Sequence, residues 1–249
     1  MKVSVITVCL NCEGSIERTL KSVEEQLKVD IEHILIDGTS TDQTLKIVSM
    51  YQRTQLVLRS EPDEGIYDAM NKGLAISTGD IICFLNADDH YVSASTIYFV
   101  VDQIKKFDLD ILLADVHYFQ PGSICKPLRR YRSKNFNPSR LAWGWMPAHP
   151  AMFVRKTVYD RVGKFDKSFK ISGDYDWIVR AFTNQNLRYQ HLSQVLVNMQ
   201  TGGVSTRGLA STLLLNKEVI RACRQNGLYT NWLMILSKYP KKFIEYFIK

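Results

Sequence analysis

The sequence predicts an α/β fold: a mostly parallel central sheet flanked by helices, with a helical extension at the C-terminus. Three observations carry this prediction. Short β-branched apolar runs recur along the first half, segments with apolar residues at helical spacing separate them, and the runs end in polar turns. Residues 3–10 form the first such run, apolar enough to be buried on both faces. Residues 15–26 follow with Ile16, Leu20, Val23 and Leu27 at helical spacing, and Ser15 stands where a cap belongs. Residues 31–36 read as a strand, 41–51 as a helix, 55–58 as a short strand and 66–76 as a helix. Residues 80–85, containing Ile81-Ile82-Cys83-Phe84-Leu85, read as a fourth strand, 95–107 as a helix and 110–113 as the start of another strand.

The second half has a different texture. Between residues 116 and 150, Pro121, Pro127, Pro138, Pro147 and Pro150, with Gly122 among them, argue for loops and short strands. Helices are expected at 154–162, 174–183, 209–226 and 232–248, and a strand, interrupted in places, at 187–200. The organisation predicted is a main domain over residues 1–205, divided at 115/116, with an extension over 206–249.

Of 249 residues, 45% are hydrophobic, and 32 basic against 25 acidic side chains leave a net charge of +7. That composition suits a globular protein meeting anionic partners. The basic residues are spread out and no nucleic-acid motif occurs, so nucleic acid is not an expected partner. Five scattered cysteines read as reduced thiols, and the Cys9/Cys12 pair has no second pair or paired histidines to complete a zinc site. No run of 18 apolar residues and no secretory leader stand out, which places the chain in the cytoplasm.

In sheets of this kind a ligand lies beyond the carboxyl ends of the strands. Three strand ends are polar: Asn11 after the first, Asp37-Gly38-Thr39-Ser40-Thr41-Asp42 after the second, and Asn86-Ala87-Asp88-Asp89 after the fourth. Two adjacent carboxylates at a buried strand end call for a positive partner, which a divalent cation with oxygen ligands supplies. A helix cap near Ser95 is the alternative use for them. Asp37 has the chemistry to accept a hydrogen bond from a nucleotide or to form an Asx turn. Residues 60–73 combine an acidic loop with a helix whose Asp68, Asn71 and Lys72 share a face, and Lys72 is a candidate phosphate ligand. Asp174, in Ser172-Gly173-Asp174-Tyr175-Asp176-Trp177, stands at a helix start beside aromatic residues, placed either as a general base or as a helix N-cap.

Together these segments resemble the large inverting glycosyltransferase family often called family 2, with the GT-A fold and its Rossmann-like nucleotide-binding half. The matching residues are Val5-Ile6-Thr7-Val8 with Asn11, residues 37–44, residues 61–73, Leu85-Asn86-Ala87-Asp88-Asp89 and Gly173-Asp174-Tyr175-Asp176. They cover roughly residues 1–205 in the family's order, closest to bacterial transferases of exopolysaccharide, capsule, O-antigen or colanic-acid type. The resemblance implies a nucleotide-sugar donor, a UDP-sugar favoured, bound through Asn11, Asp37, Asp63, Lys72, Asn86, Asp88 and Asp89. It implies Mn²⁺ or Mg²⁺ held by Asp88 and Asp89 with His149, Asp174 as catalytic base, and a saccharide or lipid-linked saccharide as acceptor. Asn86 departs from the pattern, since the family's motif carries an aspartate there. Trp143, Trp145 and Trp177 are candidates for stacking on sugar rings.

Rival classes fit less well. A nucleotidyltransferase would want a basic glycine-rich loop after the first strand, and Asn11-Cys12-Glu13-Gly14 has no cation. A non-catalytic scaffold leaves the clustered carboxylates without a use. The tail, with Trp232-Leu233-Met234-Ile235-Leu236 followed by Lys238, Lys241 and Lys242, is apolar, aromatic and basic, and expected to suit the acidic inner face of a cell membrane or to pack on the domain.

Overall fold

The computed structural model describes residues 1–51, 55–121, 126–202 and 208–239. Cys125, most of the loop expected at 202–205 and the expected helix beyond 239 lie outside the described residues.

Four strands, β1 (Lys2–Cys9), β2 (Asp30–Asp37), β3 (Gln55–Ser60) and β4 (Ile81–Phe84), pair in parallel in the order β3-β2-β1-β4. Alternate side chains of β1 and β4 enter opposite cores, so both faces of these strands are buried. Ile6, Val8, Ile82 and Phe84 join one cluster, and Val3, Val5, Ile81 and Cys83 join the other. The expected parallel sheet holds through β4, and beyond it the sheet is mixed. Strand β8 (Met152–Arg155) pairs antiparallel to both β4 and β6 (Ile111–Phe119). β6 then runs parallel to β9 (Tyr189–Gln200), with register shifts near Asp115, while short β5 (His90–Tyr91) and β7 (Arg129–Tyr131) pair antiparallel to β9 and β6.

The helices are α1 (Ile16–Glu24), α2 (Thr44–Val48), α3 (Ile66–Ile76), α4 (Thr96–Lys106), α5 (Lys156–Val162), α6 (Gly173–Asn184), α7 (Gly208–Gln225) and α8 (Trp232–Leu236). Three of them correct the sequence reading. Helix α2 is less than half the length expected, because side chains claim the amides before it. Asn11 Oδ1 accepts from Thr41 N, Glu13 Oε2 from Gln43 N and Asp42 Oδ1 from Thr44 N. Ser15 does not cap α1, and its hydroxyl donates back to Cys12 O. Helix α5 starts two residues late, because Val154 and Arg155 complete β8, the strand the sheet needs between β4 and β6.

Helices α7 and α8 do not stand apart from the domain. Val219, Ile220, Ala222, Cys223 and Ile235 belong to the same buried cluster as Ile6, Phe84 and Trp177. The boundary expected at 205 therefore marks no break in packing. No helix among the described residues is long and apolar enough to cross a membrane.

Candidate active site

The parallel register of β1 and β2 places Cys9 opposite Asp37, so the turns after both strands meet. Asn11 joins them. Its backbone sits at φ 52°, a left-handed conformation Asn tolerates, and its amide N donates to Ser40 Oγ at 2.8 Å. Asp37 is fully buried and its two oxygens are well occupied. They accept from Ser40 N at 3.0 Å, Ser40 Oγ at 2.5 Å, Ser60 Oγ at 2.6 Å and Cys9 Sγ at 3.6 Å. Burial raises its pKa, and these hydrogen bonds outweigh burial and hold the carboxyl below its usual range. Asp63 stands beside this turn. A Cβ on Gly38 would meet its Oδ2 at 2.6 Å, so glycine is what admits Asp63 there.

The acidic turn after β4 is built differently. Thr19 Oγ1 on α1 donates to Asp89 O at 2.7 Å, and β5 ties the far end of the turn to β9. Asp89 is buried inside the turn, its oxygens accepting from Asn86 Nδ2 at 3.0 Å and Gln200 N at 3.3 Å. Burial and then the neighbouring Asp88 charge push its carboxyl well above the usual range. This arrangement supplies a physical reason for Asn86. An aspartate there would set another carboxylate against buried Asp89, whereas the Asn86 amide donates to it. Asp88 is half-buried and accepts no side-chain hydrogen bond or ion pair among the described residues. Its pKa is raised by burial, which its own amide and the Arg18 guanidinium only partly offset.

On the opposite side, Asp174 opens α6. Tyr175 N donates to its Oδ1 at 2.8 Å, and Tyr67 OH, bonded at 2.6 Å to Ile171 O, lies 3.3 Å from the same oxygen. Oδ2 accepts nothing among the described residues. The Tyr67 ring rests where a side chain at Gly173 would be, with an added Cβ meeting it at 2.8 Å. His149 stacks on Phe84 at the end of β4, ring centroids 5.5 Å apart, and its burial lowers its pKa although the Asp174 charge opposes the shift. Phe84, His149 and Tyr67 all pack against the Phe165 ring, and Tyr67 reaches Asp174 from this buried cluster.

Several expected ligands are otherwise engaged. Lys72 Nζ donates to Pro62 O at 2.6 Å and pairs with Glu61 at 3.3 Å and Asp68 at 3.5 Å, so a phosphate would compete with two carboxylates for it. Asp89 is turned inward, and among the described residues no three His, Cys, Asp or Glu side chains form a metal-binding group. The set Asp88, Asp89 and His149 is therefore not assembled as a resident metal site. Asp88 alone fits a cation that takes its other ligands from phosphate oxygens and water. Burial raises the pKa of both the Cys9 and the Cys12 thiol. Trp177 is core, its Nε1 donating to Gly163 O at 2.9 Å, which leaves exposed Trp143 and half-buried Trp145 for any sugar contact.

Sequence reading missed Glu218. From α7 its buried carboxylate accepts the amides of Lys170 at 2.8 Å, Ile171 at 2.9 Å and Ser172 at 2.8 Å, which sets the backbone entering Asp174. An acid among the apolar positions Leu215, Val219 and Ala222 is the signal that marks it in the sequence. Tyr67, within a matching segment, gains a role only once its hydroxyl is placed.

The chain is similar to known proteins in sequence and in fold. Residues 4–163 match the model of glycosyl transferase family 2. The chain is 30% identical over 208 residues to the PGL/p-HBAD biosynthesis glycosyltransferase of Mycobacterium bovis (strain BCG / Pasteur 1173P2), covering 81% of this chain and 78% of that protein. It is 32% identical over 189 residues to an uncharacterized glycosyltransferase of Mycobacterium tuberculosis (strain CDC 1551 / Oshkosh), covering 72% of this chain and 68% of the other. Among solved structures, S. aureus TarS 1–349 in complex with UDP-GlcNAc superposes with a TM-score of 0.69 at 22% identity over 88% of this chain and 67% of that one. The mannosyltransferase PcManGT from Pyrobaculum calidifontis, in complex with GDP-Man and Mn²⁺, gives 0.66 at 18% identity over 90% of this chain and 63% of that one. These structures share the fold, and the sequence match decides membership: this chain belongs to glycosyl transferase family 2 and has the GT-A fold.

Proposed function

We propose that the protein transfers a hexosyl group from a nucleoside-diphosphate sugar, a UDP-sugar by preference, to an acceptor hydroxyl with inversion at the anomeric carbon. The observation that carries this reading is a division of labour between two carboxylates. Asp88 is half-buried and accepts no side-chain hydrogen bond or ion pair among the described residues, and Asp174 keeps Oδ2 open while Tyr175 N and Tyr67 OH hold Oδ1.

In the reaction, Oδ2 of Asp174 takes the proton of the acceptor hydroxyl. The freed oxygen pair attacks the anomeric carbon from the face opposite the diphosphate. The anomeric C–O bond to the diphosphate breaks, and the electron pair leaves with it. Asp88 would hold Mn²⁺ or Mg²⁺, which when bound would supply neutralisation of the charge that develops on the leaving group. Asn11 and Asp37 hold the loops that meet the nucleotide, with Asp63 beside them. A direct base contact by Asp37 requires release of Ser40 or Ser60. Tyr67 and Glu218 orient the entry to α6. The acceptor we infer is a saccharide or lipid-linked saccharide of bacterial surface polysaccharide or glycolipid synthesis. One similar protein is named a PGL/p-HBAD biosynthesis glycosyltransferase.

The test is transfer from a panel of UDP- and GDP-sugars, with and without Mn²⁺. Asp174→Asn is expected to lower kcat by about 10²–10⁴-fold while donor binding, read by thermal shift, is kept. A variant that remains active removes Asp174 from the mechanism.

A further inference from the structure

We propose that the face shared by α7 and α8 docks on an anionic lipid bilayer. Leu213, Lys217, Arg221 and Arg224 recur at spacings of four, four and three along α7 and so share one side of that helix. Lys217 and Arg224 are exposed, and their side chains form no hydrogen bond or ion pair among the described residues. Arg221 is tied to Ser168 and Asp166 and lies over the Phe169 ring. With Ile220 and Trp232 these three cations line a shallow depression of about 230 Å³.

The adjoining short helix inverts the usual pattern. In α8 Ile235 is buried, while Trp232, Leu233 and Leu236 face outward, Leu233 being 83% exposed, and Tyr229 just before the helix is 76% exposed. A soluble surface keeps such side chains scattered, and here four of them lie within eight residues beside two unpaired cations. An interfacial site has this composition: apolar and aromatic side chains to enter the headgroup layer, with cations to meet lipid phosphates. Residues that follow in sequence repeat the chemistry, with Lys241, Lys242 and Lys249 among Phe243, Ile244, Tyr246, Phe247 and Ile248. A second copy of the chain is the poorer occupant, because a twofold interface centred on this depression would bring the Lys217 and Arg224 cations of both copies together. Docking here does not depend on the roles of Asp88 and Asp174.

The experiment is co-sedimentation of the full 249-residue chain with vesicles of phosphatidylcholine plus phosphatidylglycerol, and with phosphatidylcholine alone. Binding is expected only to the anionic vesicles and should weaken as salt rises. The pair Lys217→Gln and Arg224→Gln should weaken it on the order of twentyfold. The pair Leu233→Ser and Leu236→Ser should weaken it at least about tenfold. All four positions are exposed, so an unchanged melting temperature certifies the variants as folded. The proposal is overturned if the parent chain fails to bind, or binds both vesicles equally. It is also overturned if both pairs bind as the parent does, or if Leu233→Ser abolishes a dimer seen in solution.

Discussion

The turns after β2 and β4 look alike as sequence, each a buried strand running into acidic residues, and the fold uses them in opposite ways. Asp37 is surrounded by donors: an amide, two hydroxyls and a thiol. Asp88 has none from another residue among those described, and its neighbour Asp89 is already satisfied by Asn86 and Gln200. A carboxylate saturated by its own chain holds backbone in place. One left half-buried and unpaired is costly on its own, and that cost is the ground for proposing Asp88 as a cation ligand.

Substitutions that exchange the two behaviours test the contrast. The largest effect is expected for Asp88→Asn. Transfer should fall by about 10²–10³-fold in kcat, the range for losing one electrostatic contact to a transition state. The melting temperature should not fall, since no hydrogen bond from another side chain is removed. A variant that loses stability and keeps activity would place Asp88 with Asp37. Next comes Asn86→Asp, which sets a second charge on buried Asp89 and removes its donor. A loss of about 3 kcal/mol is expected, visible in chemical denaturation, and stability equal to the parent would sink the account given for Asn86. Asp37→Ala should cost less, about 2 kcal/mol or roughly 4–8 °C, because the Ser40 and Ser60 hydroxyls can turn to other acceptors and chiefly the Ser40 amide is stranded.

The smallest effect lies in pH dependence, and its sign differs between the two turns. Asp37 has a lowered folded pKa, so its contribution is present above the unfolded carboxylate range and lost as pH falls through the folded value. Asp88 has a raised folded pKa, so its contribution is full below the unfolded value and lost as pH rises through the folded one. Melting curves of Asp37→Ala against the parent should therefore converge on acidification below the usual carboxylate range. Asp88→Asn should be slightly more stable than the parent at neutral pH, with the gap closing toward acid and on addition of Mn²⁺. Gaps of the same sign in both variants would break the contrast.

Much of the first half is legible in the residues alone. Helix α3 runs from Ile66 to Ile76, the expected bounds, because a glycine precedes a clean helical repeat there. β1, β2 and β4 follow from apolar runs that only a two-sided sheet can bury. The order of strands in the second half is not legible in this way. Met152–Arg155 is four residues long, within reach of helix or strand, and pairing with β4 and β6 decides it. Lys72 reads as free in the sequence because a helical face shows which residues are neighbours along the helix. It does not show that Glu61 and Pro62 fold back onto that lysine.

By itself the sequence determined the α/β class and which strand ends are acidic, since apolar periodicity and turn chemistry are local properties. Only the tertiary structure decided which carboxylates are free. Whether an acid holds the fold or waits for a ligand depends on donors brought from far along the chain, such as Ser60 to Asp37, Gln200 to Asp89, and the amides of residues 170–172 to Glu218. Those partners are set by packing of the whole domain, and no stretch of neighbouring residues contains them.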